Sequence, residues 1–258
     1  MPDAPSNDGD RGPDPRFGHG YGSAWHLLRC LGWHRDSFSR NVARQIGADS
    51  VIWRDFPFAS SGWRYSSGAP IRDAEWTRLN FIHDAGVQRA YDAFWPTRGS
   101  QQAWDAIGVA RHQGSDEVLL VEAKAHIGEI ADAACGAAEQ GGRPQIRQAF
   151  VSTLKALGYG DDAAKEVANT WLTRYYQTAN RIATLHFLNG AGVKTRLVFL
   201  YFCGDRHPSG VTGPVDESGW AAALGRVKNT LGLDAPALPG HNELAQRIHN
   251  VFIDVDKP

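Results

Sequence analysis

The chain has 258 residues, 42% hydrophobic and 21% charged, which is enough apolar material to bury a full core without disulfide or metal staples. Lys and Arg number 27 against 28 Asp and Glu, a net charge of −1, which excludes a polybasic binder that works through bulk charge. A local basic groove remains compatible with that balance. No apolar leader opens the chain and no run approaches the roughly 18 apolar residues of a membrane span, so a soluble, membrane-free protein is expected. Cys30, Cys135 and Cys203 are too far apart for a disulfide framework or zinc knuckle and read as free thiols of a reducing cytoplasm.

Residues 1–16 are rich in Asp, Pro and Gly and are expected as a disordered tail. Short helices are expected over 23–31 and 40–46, a strand over 51–58 and a loop over 60–68. Asp73 reads as a helix N-cap, followed by Trp76, Leu79, Ile82 and Val87 at helical spacing and by a stop at Pro96. Residues 103–111 and 117–125 then read as two strands joined by a polar turn that contains Gly114. Helices are expected over 128–139, 145–157 and 163–188. Residues 195–203 (TRLVFLYFC) form a near-continuous apolar run, the pattern of a strand buried on both faces. A helix over 220–231 and a strand over 247–255 complete the chain. The expected fold is α/β: a central mixed β-sheet flanked by helices over 71–258, with 17–70 as an accessory layer packed on it.

One segment carries chemistry. The apolar strand Val118-Leu119-Leu120-Val121 ends in Glu122-Ala123-Lys124, and burying charge costs several kcal/mol unless it is paired or metal-bound. Residues two apart on a strand share a face, so Glu122 and Lys124 point the same way. A turn centred on Gly114-Ser115 sets Asp105 opposite Lys124 and Ile107 opposite Glu122. Asp105 and Glu122 then become diagonal neighbours on one face. Two carboxylates suit a hard cation such as Mg²⁺ or Mn²⁺, and an ammonium beside them can orient a water or steady charge on a phosphate.

Asp105 followed by Glu122-Ala123-Lys124 at the end of the next strand resembles the PD-(D/E)XK nuclease superfamily, whose fold is called restriction-endonuclease-like. Lys124 is the only lysine of six with an acid two residues before it. Trp104 stands where the family's Pro often precedes the first acid. The resemblance implies Mg²⁺- or Mn²⁺-dependent phosphodiester hydrolysis of nucleic acid, DNA in the first instance; a homodimer is compatible with the sequence, which leaves the oligomeric state open. It implies metal binding by Asp105 and Glu122, with Lys124 catalytic. Some members carry an acid on a helix before the first catalytic strand, which nominates Glu75 as a further metal ligand, with Asp92 second. Others carry a Gln on the helix after the lysine strand, which nominates Gln177. Arg181 lies four residues beyond Gln177 and shares its helix face, so it reads as substrate-binding together with Arg174 and His126. Between 141 and 196 eight basic residues stand against three acidic ones, the footprint expected of a phosphate-binding patch. Two other functions fit the same residues: a binding or assembly protein that keeps the fold without cleaving, and a metal-dependent hydrolase of a small phosphorylated substrate.

Overall fold

The computed structural model describes residues 20–54, 76–99, 101–130, 132–207, 210–233 and 242–258. The expected tail over 1–16, the loop over 60–68, the cap Asp73 and the candidate ligand Glu75 lie outside these residues. Helices α1 (Ser23–Trp33) and α2 (Arg35–Gln45) come first, followed by strand β1 (Ser50–Trp53). A short strand β2 (Trp76–Thr77) precedes α3 (Ala85–Phe94) and pairs with β3 (Ala103–Trp104). The hairpin of β4 (Ala106–His112) and β5 (Ser115–Lys124) leads into helices α4 (Arg143–Ala156), α5 (Asp161–Thr173) and α6 (Tyr176–Gly190). Strand β6 (Thr195–Cys203), helix α7 (Glu217–Leu231) and strand β7 (Ile248–Asp254) follow.

The fold is α/β, with a five-stranded mixed sheet in the order β1-β4-β5-β6-β7. The first three strands pair antiparallel, whereas β5–β6 and β6–β7 are parallel. Parallel neighbours need crossovers, and the three helices α4–α6 and the single helix α7 supply them. One sheet face, through Ile107, Leu120, Leu197, Phe199 and Tyr201, packs against α3–α7. The other, through Ala106, Leu119, Val121, Val198, Leu200 and Phe202, packs against Leu27, Phe38 and Val42 of α1 and α2. The first expected accessory elements therefore cover one sheet face, and β1 is a strand of the sheet itself. Every residue of β6 is buried, as a strand covered on both faces requires. On the outer edge of β7, Gln45 closes both backbone groups of Phe252, donating to its carbonyl at 2.8 Å and accepting from its N–H at 2.9 Å. Among the described residues no helix is long and apolar enough to cross a membrane.

Three expected helices differ from the structure. Trp76 and Thr77 are in a strand, and Arg78 has a left-handed φ of 53° that no α-helix tolerates, so the helical spacing of Trp76, Leu79 and Ile82 belongs to a buried turn. The helix begins only at Ala85, where the Asp84 side chain accepts from the N–H groups of Gly86 and Val87. Over the Ala-rich stretch 128–139 the described residues hold the end of one 3₁₀ turn (Ile127–Glu129) and no α-helix. Its backbone bonds elsewhere: Cys135 N–H donates to Leu172 and Ala133 accepts from Tyr176. The helix expected over 163–188 is two helices broken at Arg174–Tyr175, where Tyr175 takes a left-handed φ of 46°.

At the far end of β5, Glu117 is 5% exposed and paired with two arginines: Arg196 at very short range and Arg247 at 3.1 Å. Burial pushes its carboxyl up, but the two guanidiniums outweigh that and hold it below the usual carboxylate range. Arg196 also donates to the Ile46 carbonyl at the end of α2, which ties that layer to the sheet. Glu117→Ala would strand the buried Arg196 charge and is expected to destabilise the fold by about 3–5 kcal/mol in urea melts. A loss under about 1 kcal/mol would show that solvent already screens the cluster.

Candidate active site

The hairpin that presents the acids closes on Gln113-Gly114, both at positive φ (50° and 76°), rather than on Gly114-Ser115. His112 therefore pairs with Ser115 and Ala106 with Val121, where the pairing ends; Asp105 stands in the bend beyond it, its N–H donating to Val121 O at 3.2 Å, and is not paired with Lys124. The bend at Asp105 breaks the strand alternation, and Asp105 nevertheless lies within the fields of Glu122, Lys124 and Arg181. Leu120, of the same parity as Glu122 and Lys124 on β5, belongs with Trp104 and Ile107 to the face covered by α3–α7. Asp105 sits in the bend between β3 and β4, half-buried, and its Oδ2 accepts from the Ala123 N–H at 2.7 Å.

Glu122 is 3% exposed, and both carboxylate oxygens are occupied. Lys124 Nζ donates to Oε1 at 2.6 Å, and Arg181 Nε donates to Oε2 at 2.8 Å. Lys124 also donates to Gln177 Oε1 at 3.1 Å. The break at Tyr175 makes this last contact possible, because it restarts the chain as α6 with Gln177 in its first turn. Asp132 fixes the break by accepting from the Tyr175 N–H at 3.2 Å and pairing with Arg174 at 2.5 Å. A non-glycine residue held in the left-handed region beside a charged cluster is stored strain at a site.

The two carboxyls titrate apart. Burial, and then the Glu122 charge, raise Asp105 to about 7, against the Ala123 N–H, Lys124 and Arg181. Burial also pushes Glu122 up, but Arg181 and Lys124 overcome it and hold the carboxyl below its ordinary value.

The structure thus brings together Asp105, Glu122, Lys124, Gln177 and Arg181. Arg181, read from sequence as a substrate contact, is 4% exposed and turned inward. Its Nη2 donates to Ala103 O at 2.6 Å, its Nη1 to Asn180 Oδ1 at 2.9 Å, and its guanidinium lies 4.7 Å from the centre of the Trp104 ring. Arg174 is on the surface with Asp132, and Asp92 pairs with Arg78 at 2.6 Å. His126 leaves the cluster because β5 ends at Lys124. Its Nε2 lies 2.5 Å from Oδ2 of the buried Asp205, and His26 meets the other oxygen at 2.8 Å. Among the described residues no group of three or more His, Cys, Asp and Glu is arranged to hold a metal ion. Sequence reading missed Asn180 and Trp104 as supports of Arg181. The signal available was a Trp next to the first acid and an Asn next to the arginine.

Seven of the eight basic residues over 141–196 meet an acid. Arg143 and Arg147 share Glu139, and Lys155, Lys165, Arg174, Arg181 and Arg196 meet Asp161, Asp162, Asp132, Glu122 and Glu117 respectively. Lys194 donates to Ser115 Oγ. No family model, curated protein or solved structure matches the chain.

Proposed function

We propose that the chain is a metal-dependent nuclease of PD-(D/E)XK type on a restriction-endonuclease-like fold, acting on DNA. The observation that carries this reading is the convergence of Asp105, Glu122, Lys124 and Gln177 at the end of β5. That convergence places two hard oxygen donors and one ammonium around a single spot. The donor set fits Mg²⁺ or Mn²⁺: carboxylates alone, without thiol or imidazole, select hard cations. Asp105 and Glu122 would hold the ion, and when bound it would supply Lewis acidity and a water of lowered pKa.

The remaining work falls to the chain's own side chains. Lys124 is anchored between Glu122 and Gln177, so its Nζ is fixed and can donate to the attacking water or to a phosphate oxygen as charge grows there. Gln177 orients the ammonium without adding charge. Glu122, kept ionised by its two cations, presents a fixed negative charge, whereas Asp105 changes protonation near neutrality. Three free, buried cysteines suit a reducing cytoplasmic setting.

The test is incubation of the protein with plasmid, linear and single-stranded DNA and with RNA, in Mg²⁺ or Mn²⁺, beside Asp105→Ala and Lys124→Ala. Metal-dependent cleavage of DNA that both substitutions abolish is the expected result. Cleavage that persists in both would sink the site assignment. A protein that neither cleaves nor binds Mn²⁺ by calorimetry would be a binding or assembly protein instead. Hydrolysis confined to small phosphate esters would overturn the choice of substrate.

A further inference from the structure

We infer that Arg181 is the positioning residue of this site and that its buried charge opposes the incoming divalent cation. The inference rests on the reading of Asp105 and Glu122 as cation ligands. Arg181 bridges the two segments that carry the acids. Through Nη2 it holds the Ala103 carbonyl, two residues before Asp105, and through Nε it holds Glu122. The bond from Nη1 to Asn180 and the stacking on Trp104 lock the guanidinium plane, so the two ends of the bridge keep a fixed separation. Asn180 is itself fixed in a buried polar chain: its carbonyl accepts from Gln102, whose side-chain oxygen accepts from Tyr91 and Thr184.

The second consequence is electrostatic. The Lys124 ammonium and the Arg181 guanidinium both pair with Glu122 and act electrostatically on Asp105, so the four groups sum to zero when Asp105 is ionised. A divalent cation therefore enters a site without net negative charge and must share Glu122 with a guanidinium that has nowhere else to go, because Arg181 is 4% exposed. In a half-buried setting the repulsion between that guanidinium and the cation is only weakly screened. Arg181 thus lowers affinity for the free metal while holding its ligand in place.

A merely structural residue predicts that its loss weakens cation binding and cleavage together. Arg181 as proposed predicts that they part. Arg181→Gln keeps a hydrogen-bonding side chain without the charge. By calorimetry it should bind Mn²⁺ at least about tenfold more tightly than wild type, while cleavage falls because the Ala103–Glu122 bridge is lost. Arg181→Lys, which keeps the charge and loses the fork, should bind Mn²⁺ within about threefold of wild type and also cleave poorly. Weaker Mn²⁺ binding by a folded Arg181→Gln would overturn the inference.

If Arg181→Gln does not fold, the wild-type protein still decides. Mg²⁺ titration should move the Arg181 Nε–H resonance in ¹⁵N spectra, because the cation competes for Glu122. An unmoved resonance while Mg²⁺ binds would overturn the idea. Asp105→Asn is the control that separates this inference from the reading beneath it. Mn²⁺ binding by wild type that Asp105→Asn abolishes upholds the site, whatever Arg181→Gln does. No Mn²⁺ binding by any of these proteins removes the site and the inference together.

Discussion

Lys124→Ala is expected to cut cleavage by about a hundred- to a thousandfold, the usual effect of removing one preorganised donor from a site of developing charge. The group is not replaceable by a neighbour. Arg181 is committed to Glu122, Ala103 and Asn180, and Arg174 is on the surface with Asp132. Single-turnover rates with enzyme in excess should show the loss in the chemical step, with DNA affinity changed less. Gln177→Ala removes the ammonium's second anchor but not its charge, so a smaller loss, about tenfold, is expected. The fold should survive Lys124→Ala, since Glu122 keeps its bond from Arg181, at a cost of about 1–3 kcal/mol for the oxygen left without a partner. Equal losses in Lys124→Ala and Gln177→Ala would mean that the lysine works only through its position.

The Glu122 and Lys124 pair of the candidate site was legible in the sequence because it depends on strand parity, which survives errors of register. An apolar strand that ends in Glu122-Ala123-Lys124 must direct two charged side chains to one face, whereas Asp105 reaches them from a bend beyond the paired hairpin, anchored by the Ala123 N–H. The exact pairing was not legible: a turn of either Gln113-Gly114 or Gly114-Ser115 satisfies the same pattern. The fully buried strand Thr195–Cys203 was read to the residue, because covering both faces removes all alternation. Three helices misled for one shared reason, that tertiary contacts outbid local spacing. Trp76 pairs with Trp104 across a strand, the 133–135 backbone bonds to the α5–α6 break, and Asp132 holds Tyr175 in a conformation that helix propensity opposes. The charge count over 141–196 did not show which acids pair with these basic residues. Glu117, Glu122, Asp132 and Glu139, which neutralise five of those eight basic residues, lie outside that window in sequence and beside it in space. Arg181 is the sharpest case: the spacing from Gln177 placed it on the correct helix face, but only the fold shows that this face looks inward.

Asp105 gives the second large effect, in stability against pH, with the opposite trend from most aspartates. Its folded value near 7 stands above the ordinary 3.8, because burial and Glu122 disfavour the ionised form. Between those two values the folded protein keeps a proton that the unfolded chain has released. The stabilisation is therefore complete below about pH 4 and is lost as pH rises through 7. The full interval corresponds to about 4 kcal/mol, and solvent reaching the half-buried side chain brings the expected loss to about 2 kcal/mol. Asp105→Asn cannot ionise, and its amide oxygen can still accept from the Ala123 N–H. Without metal the variant should match wild type near pH 4 and exceed it by about 2 kcal/mol at pH 8, while cleaving nothing. Added Mg²⁺ should close that gap by stabilising wild type alone, since a cation rewards the ionised carboxylate. Urea melts at the two pH values, with and without Mg²⁺, read all of this directly. A variant less stable than wild type by the same amount at both pH values would show that Asp105 is ionised throughout. The cation would then enter without displacing a proton.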